Sequence, residues 1–341
     1  MTDFKRRFDA DALGKHVGEQ NSLIGALFDR WVLPGGKAND EFPLRLAIRN
    51  GYLNFYVHGQ SVAELSTPRR QPRLKVHWKY AAGVVKGTKA ATPPPADAYR
   101  TYQGDDLMGD ARNIVAGWIM TAATYAMPEK RFVEHLVANN HNVIDLEMAL
   151  PGDNQLVSCM EKRRGKLVAP RMDIVVAHAK DDGETQIDFW EAKLANNAEL
   201  RATLPENGGI TEPHVCQQLT DYTAWVRLPH RTLQVQSAFQ EAGQSLDLLA
   251  ERAGKHGAAR DLWRALGRMK PQINPQPGIV VGNYDPLCPK DTRLPAAKTL
   301  EPHLNRLTGG SDDQRRFVVR QICSRACANR LLKTPLPGEC L

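Results

Sequence analysis

The sequence predicts an α/β fold in two parts, a small β-rich N-terminal domain over residues 1–95 and a larger unit over 96–341 in which helices and strands alternate. Three observations predict it. Val, Tyr, Phe and Trp crowd the stretch from Phe42 to Val85, with Asn50-Gly51 as a tight-hairpin signal. Lys86–Ala98 carries successive prolines at 93, 94 and 95, which neither a helix nor a central strand accommodates, so the boundary is set there. Beyond it, three strand-like runs follow one another between helical segments. A chain of 341 residues suits one large or two modest domains.

Each element has its own signal. Leu23, Ile24, Leu27, Phe28 and Trp31 recur at helical spacing within residues 18–33, and Pro34-Gly35-Gly36 stops that helix. LRLAIRNGYLNFYVHGQSVAEL and RLKVHWKYAAGVV then read as a small antiparallel sheet. Helices are predicted over Ala111–Ala126 and Pro128–Asn140, the second opened by a first-turn proline. Strands follow at Val143–Leu150, Arg171–His178 and Gln186–Leu194, with Pro151-Gly152 and Asp181-Asp182-Gly183 as turn signals. Thr211–Val226 is the next helix, Ser237–Lys270 holds one long or two shorter helices, Gly278–Asn283 is a short buried strand, and Asp312–Lys333 closes the chain as a basic helix.

Composition narrows the function classes. With 42% hydrophobic and 24% charged residues and a mean hydropathy of −0.44, the chain reads as globular, not disordered, collagen-like or fibrous. No window approaches the roughly 18 consecutive apolar residues of a bilayer span, and the opening MTDFKRRFDADALGKH lacks the apolar core of a signal peptide. The expected location is cytoplasmic, with no membrane association. The six cysteines are scattered without a C-x-x-C pair, so neither a disulfide frame nor a zinc site is indicated; Cys323 and Cys327, four apart, read as structural. A formal charge of +7 favours an acidic partner such as nucleic acid without identifying one.

The chemistry centres on two strand runs. Asp173 lies inside Met172-Asp173-Ile174-Val175-Val176, where an ionised carboxylate is costly unless a cation or donor compensates it. Eighteen residues later, Ile187-Asp188-Phe189-Trp190-Glu191-Ala192-Lys193-Leu194 places Glu191 and Lys193 on one face by the period of two. If the runs pair through the intervening turn, Asp173 and Glu191 become cross-strand neighbours able to share a divalent ion, with an ammonium beside them. The bland reading of Glu191 and Lys193 is a solvated ion pair.

These residues resemble the PD-(D/E)XK nuclease superfamily, whose order of helix, three strands, helix and strand is matched by residues 128–283 apart from a helical insertion at 237–270. Asp173 falls on the family's aspartate within Pro170-Arg171-Met172-Asp173, the proline displaced from the compact form, and Glu191-Ala192-Lys193 matches the second half. The resemblance implies a restriction-endonuclease-like core with a central mixed sheet flanked by helices. It also implies a metal-binding acid on the first core helix, for which Glu134 is the candidate and Glu129 and Glu147 are rivals. Gln218-x-x-x-Tyr222 on the following helix is similar to the glutamine/tyrosine signature of RecB-like members; four-residue spacing puts both on one helix face, where they could line the cleft and steady DNA or the catalytic lysine. Their bland reading is a core tyrosine beside a surface amide. His135 and His214 read as satisfied or surface histidines.

The expected function is therefore metal-dependent hydrolysis of DNA, with Asp173, Glu191 and Glu134 holding Mg²⁺ or Mn²⁺ and Lys193 orienting or activating water, leaving a 5′-phosphate. Resemblance suggests an endonuclease of bacterial restriction or anti-phage defence, acting as a homo-oligomer or with a partner protein of a defence complex. The alternatives are a catalytically silent DNA-binding or assembly subunit and a nuclease directed at RNA. Arg45, Arg49, Tyr52, Phe55, Tyr56, Arg73, Lys75, His77, Trp78 and Lys79 interleave basic and aromatic side chains in a pattern that could stack bases and meet phosphates, although half of any such strand faces a core. Arg315, Arg316, Arg320, Arg325 and Arg330 read either as a phosphate-tracking face or as a solvated one. No G-x-x-x-x-G-K-[ST] phosphate loop occurs.

Overall fold

A computed structural model describes residues 3–36, 42–89, 97–152, 162–163, 166–167, 171–180, 183–202, 212–308 and 317–328. The expected linker prolines 93–95, the turn residues Asp181 and Asp182, and Pro170 lie outside them. So do Cys159, Cys340, Arg315, Arg316 and Arg330.

The architecture is α/β, with an antiparallel sheet and a mixed sheet flanked by helices. The first sheet is a meander of β1 (Arg45–Ile48), β2 (Tyr52–Val57), β3 (Gln60–Ser66), β4 (Arg73–His77) and β5 (Tyr99–Gln103), each antiparallel to the next. Asn50-Gly51 turns β1 into β2 with Gly51 at φ 84°. His58 and Gly59 turn β2 into β3 with φ of 45° and 72°, the paired positive values that match a hairpin to strand twist. Strand β5 follows residue 95, so the sheet draws on chain from both sides of the expected boundary. Helices α1 (Leu23–Arg30), α2 (Trp78–Ala81) and α3 (Ala111–Ala123) pack beside it. Ser22 caps α1 by accepting the Gly25 N–H at 2.9 Å, and Leu23, Ile24, Leu27, Phe28 and Trp31 are buried as the spacing predicts.

The second sheet contains β6 (Val143–Ala149), β9 (Arg171–Ala179), β10 (Thr185–Leu194), β12 (Gly278–Gly282) and β13 (Val318–Ile322), in the order β13-β12-β10-β9-β6. A short β11 (Gln272–Ile273) also joins β10, and β7 (Lys162–Arg163) pairs β8 (Lys166–Leu167) separately. β6, β9 and β10 run antiparallel, whereas β12 lies parallel to β10 and β13 parallel to β12. Helix α4 (Pro128–Asn139) covers one face, where Phe132, Val133 and Leu136 meet Ile174, Trp190, Ala192 and Leu194. On the other face, α5 (His214–Val226), α6 (Pro229–Arg252) and α7 (Ala258–Arg268) join a core that runs on into the first sheet. The helix α8 (Glu301–Leu307) precedes β13.

Of the C-terminal basic helix expected over Asp312–Lys333, residues 317–328 are described, and they are not α-helical. Among the described residues Val318–Ile322 is strand β13 and Arg325–Cys327 a single 3-10 turn. Val318, Val319 and Ile322 are β-branched, and they pair with Gly278, Ile279 and Gly282 of β12 in a parallel ladder. Two of the basic residues proposed for phosphate contact are also spent internally. Arg45 and Arg49 are buried, the first on Glu134 of α4 at 2.6 Å and the second on Asp145 of β6 at 2.6 Å. Arg6 reaches Asp145 at 2.8 Å from the other side. No helix among the described residues is long and apolar enough to cross a membrane.

Candidate active site

The site forms where the second sheet splits. The ladder between β9 and β10 ends at Ile174 and Trp190, yet β9 stays paired with β6 as far as Arg171 and Ala149, and β10 stays paired with β12 as far as Leu194 and Gly282. Past Trp190 the two central strands therefore follow different neighbours and part. Asp173 fills the fork: its Oδ2 accepts the N–H of Ala192 at 3.0 Å, taking the place of a backbone carbonyl. Ala192 separates Glu191 from Lys193, so one carboxylate from β9 is fastened between the two charged side chains of β10.

Asp173, Glu191 and Lys193 are 7, 6 and 5% exposed, and charges so desolvated need partners. Lys193 Nζ lies 2.7 Å from Glu191 Oε1 and 2.7 Å from Glu199 Oε2. Lys130 Nζ, from the first turn of α4, lies 2.6 Å from Asp173 Oδ1 and 2.5 Å from Glu147 Oε1. Glu147 holds this position with φ 51°, a left-handed conformation uncommon for a glutamate and found within the irregular β6 strand. Burial, followed by the charge of Asp173, pushes Glu191 up to about 8 despite Lys193. Both ammonium groups are pushed above their ordinary range by the carboxylates around them, against the opposing effect of burial.

The expected residues divide into two groups. Asp173, Glu191 and Lys193 come together. Tyr222 is close enough for Glu191 and Asp173 to push its phenol further above its ordinary range after burial, but its hydroxyl donates to Met148 O at 2.8 Å, so it anchors β6 to α5. Gln218 is half-buried, and its Oε1 has no hydrogen-bond partner among the described residues. Glu134 stands apart, its Oε1 taking 2.9 and 2.6 Å bonds from Arg45. The acid of α4 at the fork is Glu129, which accepts from Asn197 at 2.9 Å and acts on Lys193 through space. Sequence reasoning missed Lys130 and Glu199. Both arrive through loop and helix placement that no local pattern encodes, although Asn197, which accepts the Glu199 N–H at 2.8 Å, is a recognisable cap before Glu199.

Whether this donor set suits the divalent cation implied by the resemblance depends on its oxygens. Among the described residues no group of three or more His, Cys, Asp or Glu side chains is arranged to hold a metal ion. Mg²⁺, however, is often held by one or two carboxylates with water and substrate phosphate completing the shell. Asp173 and Glu191 supply two hard carboxylates, and the repulsion that raises Glu191 is what a cation between them would relieve. The residues present fit Mg²⁺ or Mn²⁺ on those terms, without Glu134. No protein-family model, curated protein or solved structure matches this chain.

Proposed function

We propose that the chain is a metal-dependent deoxyribonuclease of the PD-(D/E)XK type. The observation that carries the reading is the fork between β9 and β10, which fastens Asp173 to the peptide between Glu191 and Lys193 in a buried setting. The strand order, with three antiparallel strands, a crossover through α5 to α7 and a parallel β12, supports the same reading. Asp173 and Glu191 would hold Mg²⁺ or Mn²⁺, which supplies Lewis-acid stabilisation of a phosphodiester and a more acidic water. Lys193 is positioned by Glu191 and Glu199 to hold a proton at Nζ and to face negative charge that develops on phosphate. Burial by the surrounding strands strengthens the interactions among these charges.

DNA rather than RNA, endonucleolytic action, a cytoplasmic place in restriction or anti-phage defence, and a homo-oligomer or protein partner all rest on the resemblance. One observation favours the silent-subunit alternative: Asp173 and Glu191 already carry ammonium partners, Lys130 and Lys193. The deciding experiment incubates the chain with closed-circular DNA, linear duplex, single-stranded DNA and RNA in Mg²⁺, Mn²⁺ or EDTA. Cutting of the circle in metal and none in EDTA is expected, with Asp173→Asn and Lys193→Met each losing at least about 10²-fold while remaining folded by circular dichroism. Activity that persists in chelator, or in either variant, removes this reading, and an inert wild type that still binds DNA establishes the alternative.

A further inference from the structure

A second polar site lies beside the fork along α4, in an open cavity of about 770 Å³ bordered by the first sheet, α4 and the loop after β12. Its lining is strongly basic. Arg45, Arg131 and Arg325 converge there with His58 and His135, against one acid, Glu134, whose charge is matched by Arg45. Arg325 donates one terminal N–H group to Pro286 O at 3.2 Å and Cys288 O at 2.6 Å, and its Nε lies 3.7 Å from the Asp291 carboxylate. The Nε atoms of Arg131 and Arg325 and Nδ1 of His58 are buried with no hydrogen-bond partner among the described residues. Buried polar groups in that state are rare, and the two guanidinium N–H groups call for an acceptor.

His58 is the most informative of the three. It is 6% exposed and sits at the tip of the β2–β3 hairpin with φ 45°, a backbone strained for a non-glycine residue but one that brings the ring to the cavity wall. Burial and then the charges of Arg131, His135 and Arg45 hold it down at about 4. Burial and then Arg325 hold His135 down at about 4 as well. Both rings are therefore neutral at pH 7 inside a positive field, the electrostatic condition that an incoming anion relieves. The lining also includes the apolar Pro43, Pro286 and Leu287, the last 53% exposed.

We propose that this cavity binds a small phosphate monoester of mononucleotide size, its phosphate received by Arg131, Arg325 and His58 and its organic part laid against Pro286 and Leu287. Arginine favours phosphate through its planar fork of donors, and the volume falls in the range of small-ligand sites, about 300–1,000 Å³. The phosphate can come from a free nucleotide or from the 5′ end of a nucleic-acid strand, which present the same chemistry. The site contains none of Asp173, Glu191 and Lys193 and does not depend on the nuclease reading.

The test is calorimetric titration of the full chain in EDTA with 5′-AMP, adenosine, and a short oligonucleotide carrying either a 5′-phosphate or a 5′-hydroxyl. Saturable binding of 5′-AMP is expected at one per chain, at least tenfold tighter than adenosine, and weakened at least tenfold by Arg131→Gln. His58→Asn, which tolerates the positive φ, should weaken it as well, and provides the answer if the arginine variant fails to fold. Asp173→Asn should bind as the wild type does. A phosphorylated oligonucleotide that outbinds both 5′-AMP and its hydroxyl counterpart assigns the natural source to a strand end. Equal affinity for 5′-AMP and adenosine, absence of saturation, or undiminished binding in a folded Arg131→Gln or His58→Asn protein would overturn the proposal.

Discussion

Lys130 holds the two sides of the fork together, so Lys130→Met tests how its charges balance. The ammonium lies 2.6 Å from Asp173 and 2.5 Å from Glu147, with side-chain exposures of 23, 9 and 14% for the three residues. Breaking a buried pair by removing one partner costs about 3–5 kcal/mol, and the partial exposure of Lys130 places this case near about 3. With an unfolding entropy of about 2.1 cal/mol/K per residue, that cost lowers Tm by about 4 °C for a chain of 341 residues. In the variant Asp173, Glu147 and Glu191 are left with Lys193 as the nearby cation, so a divalent ion should bind better than in the wild type. Its stabilisation grows as RT ln(1 + [L]/Kd), about 2.7 kcal/mol at a hundredfold excess over Kd, which recovers most of the loss. Scanning fluorimetry in EDTA and in increasing Mg²⁺ or Mn²⁺ reads both effects. A Tm within about 1 °C of wild type in EDTA refutes the energetic argument, and a lowered Tm that neither ion restores refutes the cation site.

Three further outcomes are expected. Asp145→Ala strands Arg6 and Arg49 beneath the first sheet and should cost about 3–5 kcal/mol in urea unfolding; a loss under about 1 kcal/mol would mean that the buried triad contributes little. Glu191, ordinarily near 4.5 and here pushed up to about 8 by burial and Asp173, keeps a proton that the unfolded chain has released. Metal-free stability should therefore fall as pH rises across that window and level off above it, and Glu191→Gln should flatten the slope; parallel slopes for the two proteins in EDTA would contradict the assignment. Tyr222→Phe removes a buried bond to Met148 O, for about 1–2 kcal/mol, and should leave cleavage within twofold. A tenfold loss of cleavage at unchanged stability would instead place Tyr222 in the reacting machinery.

What was legible in the chain is explained by which physical signals are local. Asp173, Glu191 and Lys193 stood out because charged residues inside apolar strand runs break an alternation that burial otherwise enforces, and the period of two then fixes their shared face. The choice among the acids of α4 could be argued from its apolar stripe. Glu129 precedes Val133 and Leu136 by four and seven residues and so points toward the sheet, whereas Glu134 turns toward Arg45 of another sheet. Lys130 and Glu199 left no local trace, because each is defined by its distance to side chains far along the chain or beyond a loop. The closing strand eludes the sequence for the opposite reason: a run rich in basic residues reads as a solvated helix, while the parallel neighbour that makes Val318–Ile322 a strand lies some forty residues earlier.

The β2–β3 hairpin bears directly on any truncation of the first sheet. Gly59 at its tip approaches Lys130 so closely that a Cβ there would meet the lysine Cγ and Cδ at 2.9 Å. The tip is thus a wedge against the stem of the lysine that ties Asp173 to Glu147, and Arg45, in the neighbouring strand, grips α4 one turn further on. Cutting away the N-terminal sheet would release that lysine and unseat its helix along with whatever surface the sheet offers. A shortened protein that no longer cuts or binds would report a slackened fork, and the sheet's own contribution is better isolated by substitutions on its outward strand positions, such as Lys75.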